Sequence, residues 1–544
     1  MPAATLRIAL AQLNLLVGDI PGNAARLVQA AETARDRHQA DVILFPELSL
    51  TGYPPEDLLL RPSLSARVDE ALLLLKAVRG ITLVFGLPER APQGLLNAAW
   101  ALRDGEVLVR YAKQELPNNQ VFDECRYFVP GHEAAVFSQN GVSLGLTICE
   151  DIWHAGPAQA ARAAGAELLL NLNASPFHAG KPAERHQVVA SRCAETGLPV
   201  VYCNLVGGQD ELIFDGGSFA LQADGELALQ APVFEESLQV LDYDVASRRF
   251  LPAALTPLPS LEASVYQALV LAVRDYVNKS GFKGVVLGLS GGIDSALTLA
   301  IAVDALGAER VRAVMMPYRY TAEMSLEDAE AEARTLGVHY SVLSIAPMVE
   351  AFVDTLAETF AGLGKDKTEE NLQARSRGVL LMAISNKLGY MVLTTGNKSE
   401  MSVGYATLYG DMAGGFDVLK DVPKTLVFRL CEWRNQQTPE HPPIPQRVID
   451  RPPSAELAPD QKDEDSLPPY PVLDEILRRY VELDESAAVI IAAGFEAETV
   501  QRVLRLVDIN EYKRRQAAIG PRITQRGFGK DRRYPIVNGW RIGS

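Results

Sequence analysis

A thiol, an ammonium group and a carboxylate each stand where a strand should end. Cys149 lies in Leu146-Thr147-Ile148-Cys149-Glu150-Asp151, Lys113 in Tyr111-Ala112-Lys113, and Glu47 in Phe45-Pro46-Glu47-Leu48-Ser49. A thiol is a poor nucleophile until it loses its proton, so it needs a base and a positive neighbour. Glu47 has the chemistry to take that proton, and Lys113 that to stabilise a thiolate and an oxyanion. Such a trio attacks an amide, forms a thioester with release of ammonia, and is regenerated by water. The residues alone leave two other readings open. A free cysteine is more often a small buried hydrophobe, and His154, His178 and His186 offer a Cys–His pair instead. A second group is the octet Gly288-Leu289-Ser290-Gly291-Gly292-Ile293-Asp294-Ser295. Its glycines let backbone approach phosphate oxygens, and successive N–H groups at a helix start supply donors to an anion. Ser290 and Ser295 add hydroxyls, and Asp294 is suited to hold Mg²⁺ against the phosphates. It is not a Walker A loop, because the Lys-Ser/Thr ending is missing.

Elements that place these groups follow from the apolar pattern. Short strands are expected at 7–12, 42–46, 81–86, 142–147, 168–171 and 200–204, with helices at 23–37 and 156–164. That alternation predicts an α/β layer architecture with sites in loops beyond strand ends. Prolines between 250 and 259 mark a linker, so two domains are expected, 1–255 and 256–544. In the second, a helix at 260–280 precedes a strand at 284–288, the octet, and a helix from 295. Further buried strands are read at 313–317 and 391–395, as a parallel sheet prefers. Ten prolines between Pro439 and Pro471, among charged residues, read as an exposed excursion outside any core.

The chain has 544 residues, 48% of them hydrophobic, which is ample for cores without disulfides or metal staples. Its five cysteines are scattered without a C-x-x-C pair, so a reducing, cytoplasmic compartment is the default. Residues 1–18 carry one basic residue and alternate like a strand, which argues against a secretory leader. No apolar run approaches the ~18 residues of a membrane span, so no membrane partner is expected. Fifty-two basic against 68 acidic residues give a net charge of −16, which argues against nucleic acid as a partner.

The segments F-P-E-L-S-L-T-G-Y-P-P-E-D-L, K-Q-E-L-P-N and C-E-D-I-W resemble the carbon–nitrogen hydrolase (nitrilase-like) superfamily. The resemblance implies an α-β-β-α sandwich with Glu47, Lys113 and Cys149 as catalytic triad. N-N-Q-V-F-D-E-C-R-Y-F (118–128) and N-A-S-P-F-H-A-G-K (173–181) are similar to its glutaminase branch, which implies glutamine contacts at Asn119, Glu150, Ser175 and Lys181. That branch often carries tyrosine where this chain has Asn119, whose amide can hydrogen-bond but cannot stack. The octet resembles the S-G-G-x-D-S loop of the ATP pyrophosphatases, which cleave ATP between its α and β phosphates.

Three further stretches, 370–377, 394–400 and 409–425, together with the octet, are similar to the NAD synthetases. That likeness implies a Rossmann-like, doubly wound parallel sheet of the adenine nucleotide α-hydrolase type. It implies ATP at Gly288, Leu289, Ser290, Gly291, Gly292, Ile293, Asp294, Ser295 and Thr395, with Mg²⁺ at Asp294 and Glu400. Asn371, Arg375, Glu400, Lys420 and Lys513 would surround deamido-NAD⁺, with Asp411 nearby, and the basic stretch 512–533 would close over this phosphorylated substrate. The two halves together resemble the glutamine-dependent NAD⁺ synthetases. The resemblance implies a ligase that amidates adenylated deamido-NAD⁺ with ammonia cut from glutamine and passed inside the protein, and a homo-oligomer built through the second half. Two rival readings remain: an amidotransferase adenylating a different carboxylate, and a non-catalytic dinucleotide-binding sensor.

Overall fold

A computed structural model describes residues 5–454, 456–458, 463 and 467–540. The chain divides into two compact units between Pro259 and Ser260.

In the first unit, two mixed sheets face each other. One has seven strands, ordered Arg249–Phe250, Ser237–Asp244, Thr5–Gln12, Val42–Leu44, Thr82–Ala91, Gly94–Arg103 and Glu106–Ala112. The other has six, ordered Leu227–Gln230, Phe219–Leu221, Val200–Asn204, Leu168–Asn173, Val142–Ile148 and Val136–Gln139. Period-two side-chain alternation sorts the layers. Ile8, Leu10, Val42 and Leu44 meet Leu144, Leu146, Leu168, Leu170, Val201 and Cys203 between the sheets. Their neighbours Ala9, Ala11, Ile43 and Phe45 turn outward onto Ala24, Leu27 and Ala31 of the Ile20–His38 helix and Leu72 and Leu75 of the Pro62–Ala77 helix. On the opposite side Leu169, Val200 and Tyr202 cover Ala158, Ala161, Val189 and Cys193 of the helices Ala155–Ala163 and Lys181–Thr196. The result is an α-β-β-α sandwich.

The second unit holds a five-stranded sheet, parallel throughout, ordered His339–Val342, Val311–Met315, Val285–Gly288, Met391–Thr394 and Phe416–Asp417. In chain order that is 3-2-1-4-5, so the connections reverse direction between Val285–Gly288 and Met391–Thr394. In open α/β sheets ligands bind beyond the carboxyl ends of strands at such a switch point. The helix Ile293–Leu306 starts there. A separate cluster of Leu473, Ile476, Val481, Ile490, Val500, Leu504 and Val507 gathers the later helices.

Two expectations are corrected. The proline-rich stretch is not wholly outside a core: Ile444, Val448, Leu467 and Tyr470 are buried, and the short helix Gln446–Asp450 is anchored by Arg447 to Asp328 at 2.8 Å. Its prolines stop long helices without preventing apolar side chains between them from docking. Much of the basic C-terminal stretch is spent inside the fold. Arg514, Arg522 and Arg532 are buried, Arg514 pairing with Glu511 at 2.9 Å, Arg522 with Asp531 at 2.6 Å, and Arg532 stacking on Tyr534. Among the described residues, no helix is long and apolar enough to cross a membrane.

Candidate active sites

In the first unit the three sequence-derived groups come from three strand ends. Glu47 follows Val42–Leu44, Lys113 follows Glu106–Ala112, and Cys149 follows Val142–Ile148. Gly86 makes room for the first of these: a Cβ there would lie 2.2 Å from Leu48 N, so a larger residue would push the Glu47 loop off the sheet. Lys113 Nζ sits 2.7 Å from Glu47 Oε1, both side chains fully buried, and 2.8 Å from Glu124 Oε1. Asn97 Nδ2 donates to Glu47 Oε1 at 2.8 Å, Ala174 N to Glu47 Oε2 at 3.1 Å, and the Tyr53 hydroxyl to Glu124 Oε1 at 2.8 Å. Burial opposes the Lys113 charge, but Glu124 and Glu47 hold its ammonium well above the ordinary value. Burial pushes the Glu124 carboxyl up.

Cys149 is buried and opens a 3-10 turn, Cys149–Trp153, with φ of 44°. Left-handed backbone at a residue other than glycine is strained and concentrates at functional sites. Burial, then Glu47, drive its thiol well above the ordinary value, against the pull of Lys113. The charges acting on the thiol come from Glu47, Lys113, Glu150 and Glu124. Of the three histidines weighed as partners, His154 Nε2 lies 3.5 Å from Glu150, His178 Nδ1 is 3.0 Å from Ala179 O, and His186 packs edge-on against Phe219. Since only the thiolate reacts, alkylation of Cys149 by iodoacetamide should accelerate about tenfold per pH unit through about pH 9. Peptide mass spectrometry must follow it, because Cys125 is exposed. A plateau below about pH 8 would show that the resting thiol is already ionised.

Asp151 joins the turn to the lysine strand. Its Oδ2 accepts from Ile148 N at 2.9 Å and the Tyr111 hydroxyl at 2.7 Å, and its Oδ1 from Gln114 N at 3.0 Å and Glu115 N at 2.9 Å. Burial pushes its carboxyl up to about 6, against those donors.

The proposed glutamine contacts divide. Ser175 is buried beyond the end of Leu168–Asn173. Lys181 opens the Lys181–Thr196 helix with Nζ 3.9 Å from the Trp153 ring centroid and 2.9 Å from Glu184 Oε2. Asn119 is exposed on a loop.

In the second unit the octet folds back on itself. Leu289 N donates to Val314 O at 3.0 Å, Gly292 N to Ser290 Oγ at 3.1 Å, and the Ser290 and Ser295 hydroxyls lie 3.0 Å apart. Gly291 has φ of +79°, and a Cβ there would stand 2.4 Å from Ser325 O. Gly291→Ala should cost about 2–3 kcal/mol of stability, read by denaturant unfolding, and weaken the ATP binding that the sequence likeness implies about tenfold or more. Unchanged values would remove the octet's shape from the account.

Asp294, at the helix start, accepts from Asn397 Nδ2 at 2.9 Å and pairs with Lys424 Nζ, which lies 3.2 Å from Glu400 Oε1. Burial opposes the Lys424 charge, yet Asp294 and Glu400 hold it above its ordinary value. Burial pushes Glu400 up to about 8, with Lys424 pulling it down and Asp294 pushing it up. Thr395 lies half-buried just past Met391–Thr394.

Four of the residues expected around the dinucleotide gather on one loop. Asn371 Oδ1 accepts from the Thr407 hydroxyl at 3.0 Å, and Arg375 Nε donates to Leu408 O at 3.1 Å. Lys513 Nζ donates to Gly404 O at 2.7 Å and Ala406 O at 2.8 Å, and Asp411 Oδ1 accepts from Thr407 N at 2.7 Å. Glu400 instead joins the Asp294–Lys424 cluster, and Lys420 donates to Ala518 O. Glu124, Tyr53, Asp151, Asn397 and Lys424 stand inside the stretches quoted from the sequence but carry no assigned role there, and Asn97 lies outside them. Once buried, Lys424 needs a carboxylate partner, which Asp294 and Glu400 supply.

Comparison with known proteins bears on both units. The carbon-nitrogen hydrolase family profile matches residues 7–253, and the NAD synthase profile matches residues 265–517. The glutamine-dependent NAD(+) synthetase of Acinetobacter baylyi is 54% identical over 540 residues, 99% of each chain. The chain belongs to the glutamine-dependent NAD(+) synthetase family. Another family member, from Xanthomonas campestris pv. campestris, is 51% identical over 99% of this chain and 98% of its own. A solved structure of the synthetase from Acinetobacter baumannii, in complex with ADP, is 50% identical, covers 99% of this chain and 100% of that one, and superposes with a TM-score of 0.81. The synthetase of Cytophaga hutchinsonii, 24% identical over 98% of both chains, shares the family fold with a TM-score of 0.84.

Proposed function

We propose that this chain makes NAD⁺ from deamido-NAD⁺, ATP and glutamine, with residues 1–255 as the glutaminase and 256–544 as the synthetase. The observation that carries the reading is the wholly buried Lys113–Glu47 pair, 2.7 Å apart, whose charges act on the Cys149 thiol.

In the first unit Glu47 takes the Cys149 proton and the sulfur attacks the side-chain carboxamide carbon of glutamine. The carbonyl electrons move onto oxygen, where Lys113 stabilises them, a preorganised charge placed where charge develops. The proton held by Glu47 passes to the departing nitrogen, and ammonia leaves a γ-glutamyl thioester. Water, losing its proton to Glu47, then attacks the thioester; sulfur leaves and recovers a proton, and glutamate departs. Asn119, Glu150, Ser175 and Lys181 are the proposed glutamine contacts. Lys181, part-buried and partly neutralised by Glu184, suits an α-carboxylate.

In the second unit the nicotinate carboxylate of deamido-NAD⁺ attacks the α-phosphorus of ATP and pyrophosphate leaves. Ammonia then attacks the acyl carbon and AMP departs, giving the amide. Residues 288–295 and Thr395 are the proposed ATP contacts, and Asn371, Arg375, Glu400, Lys420 and Lys513 the proposed dinucleotide contacts. Among the described residues no group of three or more His, Cys, Asp or Glu side chains forms a metal cage. Mg²⁺ needs none, because it commonly takes one or two carboxylates and completes its shell with phosphates and water. The Asp294–Glu400 pair fits that donor set, and a bound Mg²⁺ would neutralise phosphate charge there. Lys424 pairs with both carboxylates, so a metal held there would share them with its ammonium.

The test is direct. With deamido-NAD⁺, ATP and Mg²⁺, the purified chain should yield NAD⁺, AMP and pyrophosphate in equal amounts with either glutamine or ammonium as donor. Absence of NAD⁺ with both donors would overturn the proposal.

A further inference from the structure

Arg185 lies one helical turn after Lys181 on the Lys181–Thr196 helix and is buried. A buried guanidinium must find partners for its five N–H groups. Arg185 Nη1 takes both oxygens of Asp215 at 2.8 Å, so its charge is balanced inside the protein and is not free for an anionic ligand. Its remaining donors converge on one short segment: Nε on Ser175 Oγ at 3.1 Å, and Nη2 on Ser175 O at 2.8 Å and Pro176 O at 3.2 Å. Ser175 N in turn donates to Asn204 Oδ1 at 2.9 Å, and Asn204 Nδ2 is tied to Gly216 O at 3.0 Å. Ser175 is thus gripped at its nitrogen, its carbonyl and its side-chain oxygen.

A serine oxygen has one hydrogen and two lone pairs. With Arg185 Nε donating into a lone pair, the hydroxyl hydrogen must point away from the guanidinium. We propose that Arg185 is a positioning residue for amide-donor selection: it holds Ser175 as a hydrogen-bond donor which, with the Lys181 ammonium, serves the α-carboxylate of the bound donor. The inference rests on the reading that Ser175 and Lys181 meet glutamine. It assigns to the Arg185–Asp215 pair the task of fixing the spacing of those two contacts, since one helix carries Lys181 and grips Ser175. Lysine cannot replace arginine here, because a single ammonium cannot serve Asp215, Ser175 and Pro176 in that fork.

The test uses the full chain, assayed for ammonia release from glutamine, with 4-aminobutanamide, which is glutamine without its α-carboxylate, as a competitive inhibitor. Arg185→Lys and Ser175→Ala should each raise the KM for glutamine about 10- to 100-fold, as expected for loss of a charged hydrogen bond. Both should leave kcat and the Ki of 4-aminobutanamide within about threefold, because neither residue then has a carboxylate to meet. A merely structural role for Arg185 would instead move both ligands together. If Ser175→Ala raises KM and Arg185→Lys does not, or if Arg185→Lys weakens both ligands equally, the proposal is overturned while the glutamine contact at Ser175 stands. If neither variant moves the KM, the contact itself is wrong. Should Arg185→Lys not fold, the double variant Arg185→Gln/Asp215→Asn leaves no orphaned buried charge and carries the same measurement.

Discussion

Cys149→Ala should abolish glutamine-driven NAD⁺ synthesis, by about 10³-fold or more, while leaving ammonium-driven synthesis within about twofold. Removing the nucleophile deletes the covalent route entirely, and what remains is binding and electrostatic assistance alone. The alanine is tolerable in packing terms, because Cys149 is a small buried side chain whose loss removes one sulfur. Each sheet system closes its own core, the first from residues such as Leu10 and Leu170 and the second from residues such as Val286 and Val392, so the second core does not depend on the thiol. Ammonium at high concentration, assayed with saturating ATP and deamido-NAD⁺, isolates the second reaction. A proportionate loss with both donors would mean that Cys149 holds structure and does not cut the amide.

Lys424→Met should have the opposite signature, with synthesis falling about 10²–10³-fold whichever donor is supplied. That is the scale on which a preorganised charge at developing negative charge is worth in a dry site. Lys424 is 1% exposed and bridges Asp294 of the octet to Glu400, 3.2 Å away. Without it two carboxylates share one small space, and the Glu400 carboxyl, which burial and Asp294 already push up, loses the cation that pulls it down. Methionine keeps the volume of the aliphatic stem and removes the cation. Pyrophosphate release dependent on deamido-NAD⁺ is the measurement, and an unaltered rate with ammonium would place Lys424 outside the chemistry.

How much was legible before the structure varied with the distance over which each feature is decided. The strand at 200–204 and the helix at 260–280 are set by local composition, and they were read to within a residue. The residues beyond strand ends, Glu47, Lys113, Cys149 and the octet, are legible because loops beyond strand ends are where α/β proteins place chemistry. The antiparallel strand Gly94–Arg103 is not legible, since Leu95-Leu96-Asn97-Ala98-Ala99-Trp100 lacks the alternation that marks a strand with one wet face, and of Glu106–Ala112 only the end at Tyr111-Ala112 is. The second carboxylate on Lys113 was missed for another reason. Glu124 sits in a 3-10 turn among charged neighbours, and only the return of the 117–128 segment over Lys113 buries it. Lys424 and Asp294 are 130 positions apart, and no periodicity links them. The proline-rich stretch misled because its composition forbids a helix-built core, whereas single side chains such as Ile444 can still plug into one built elsewhere.

One carboxylate, Asp151, rivets the peptide ahead of the nucleophile to the two peptides that follow the lysine. The two loops therefore have no slack with respect to each other. Lifting either loop must first break a hydrogen bond to that carboxylate, so a change that frees the attacking atom also loosens the ammonium that steadies its oxyanion.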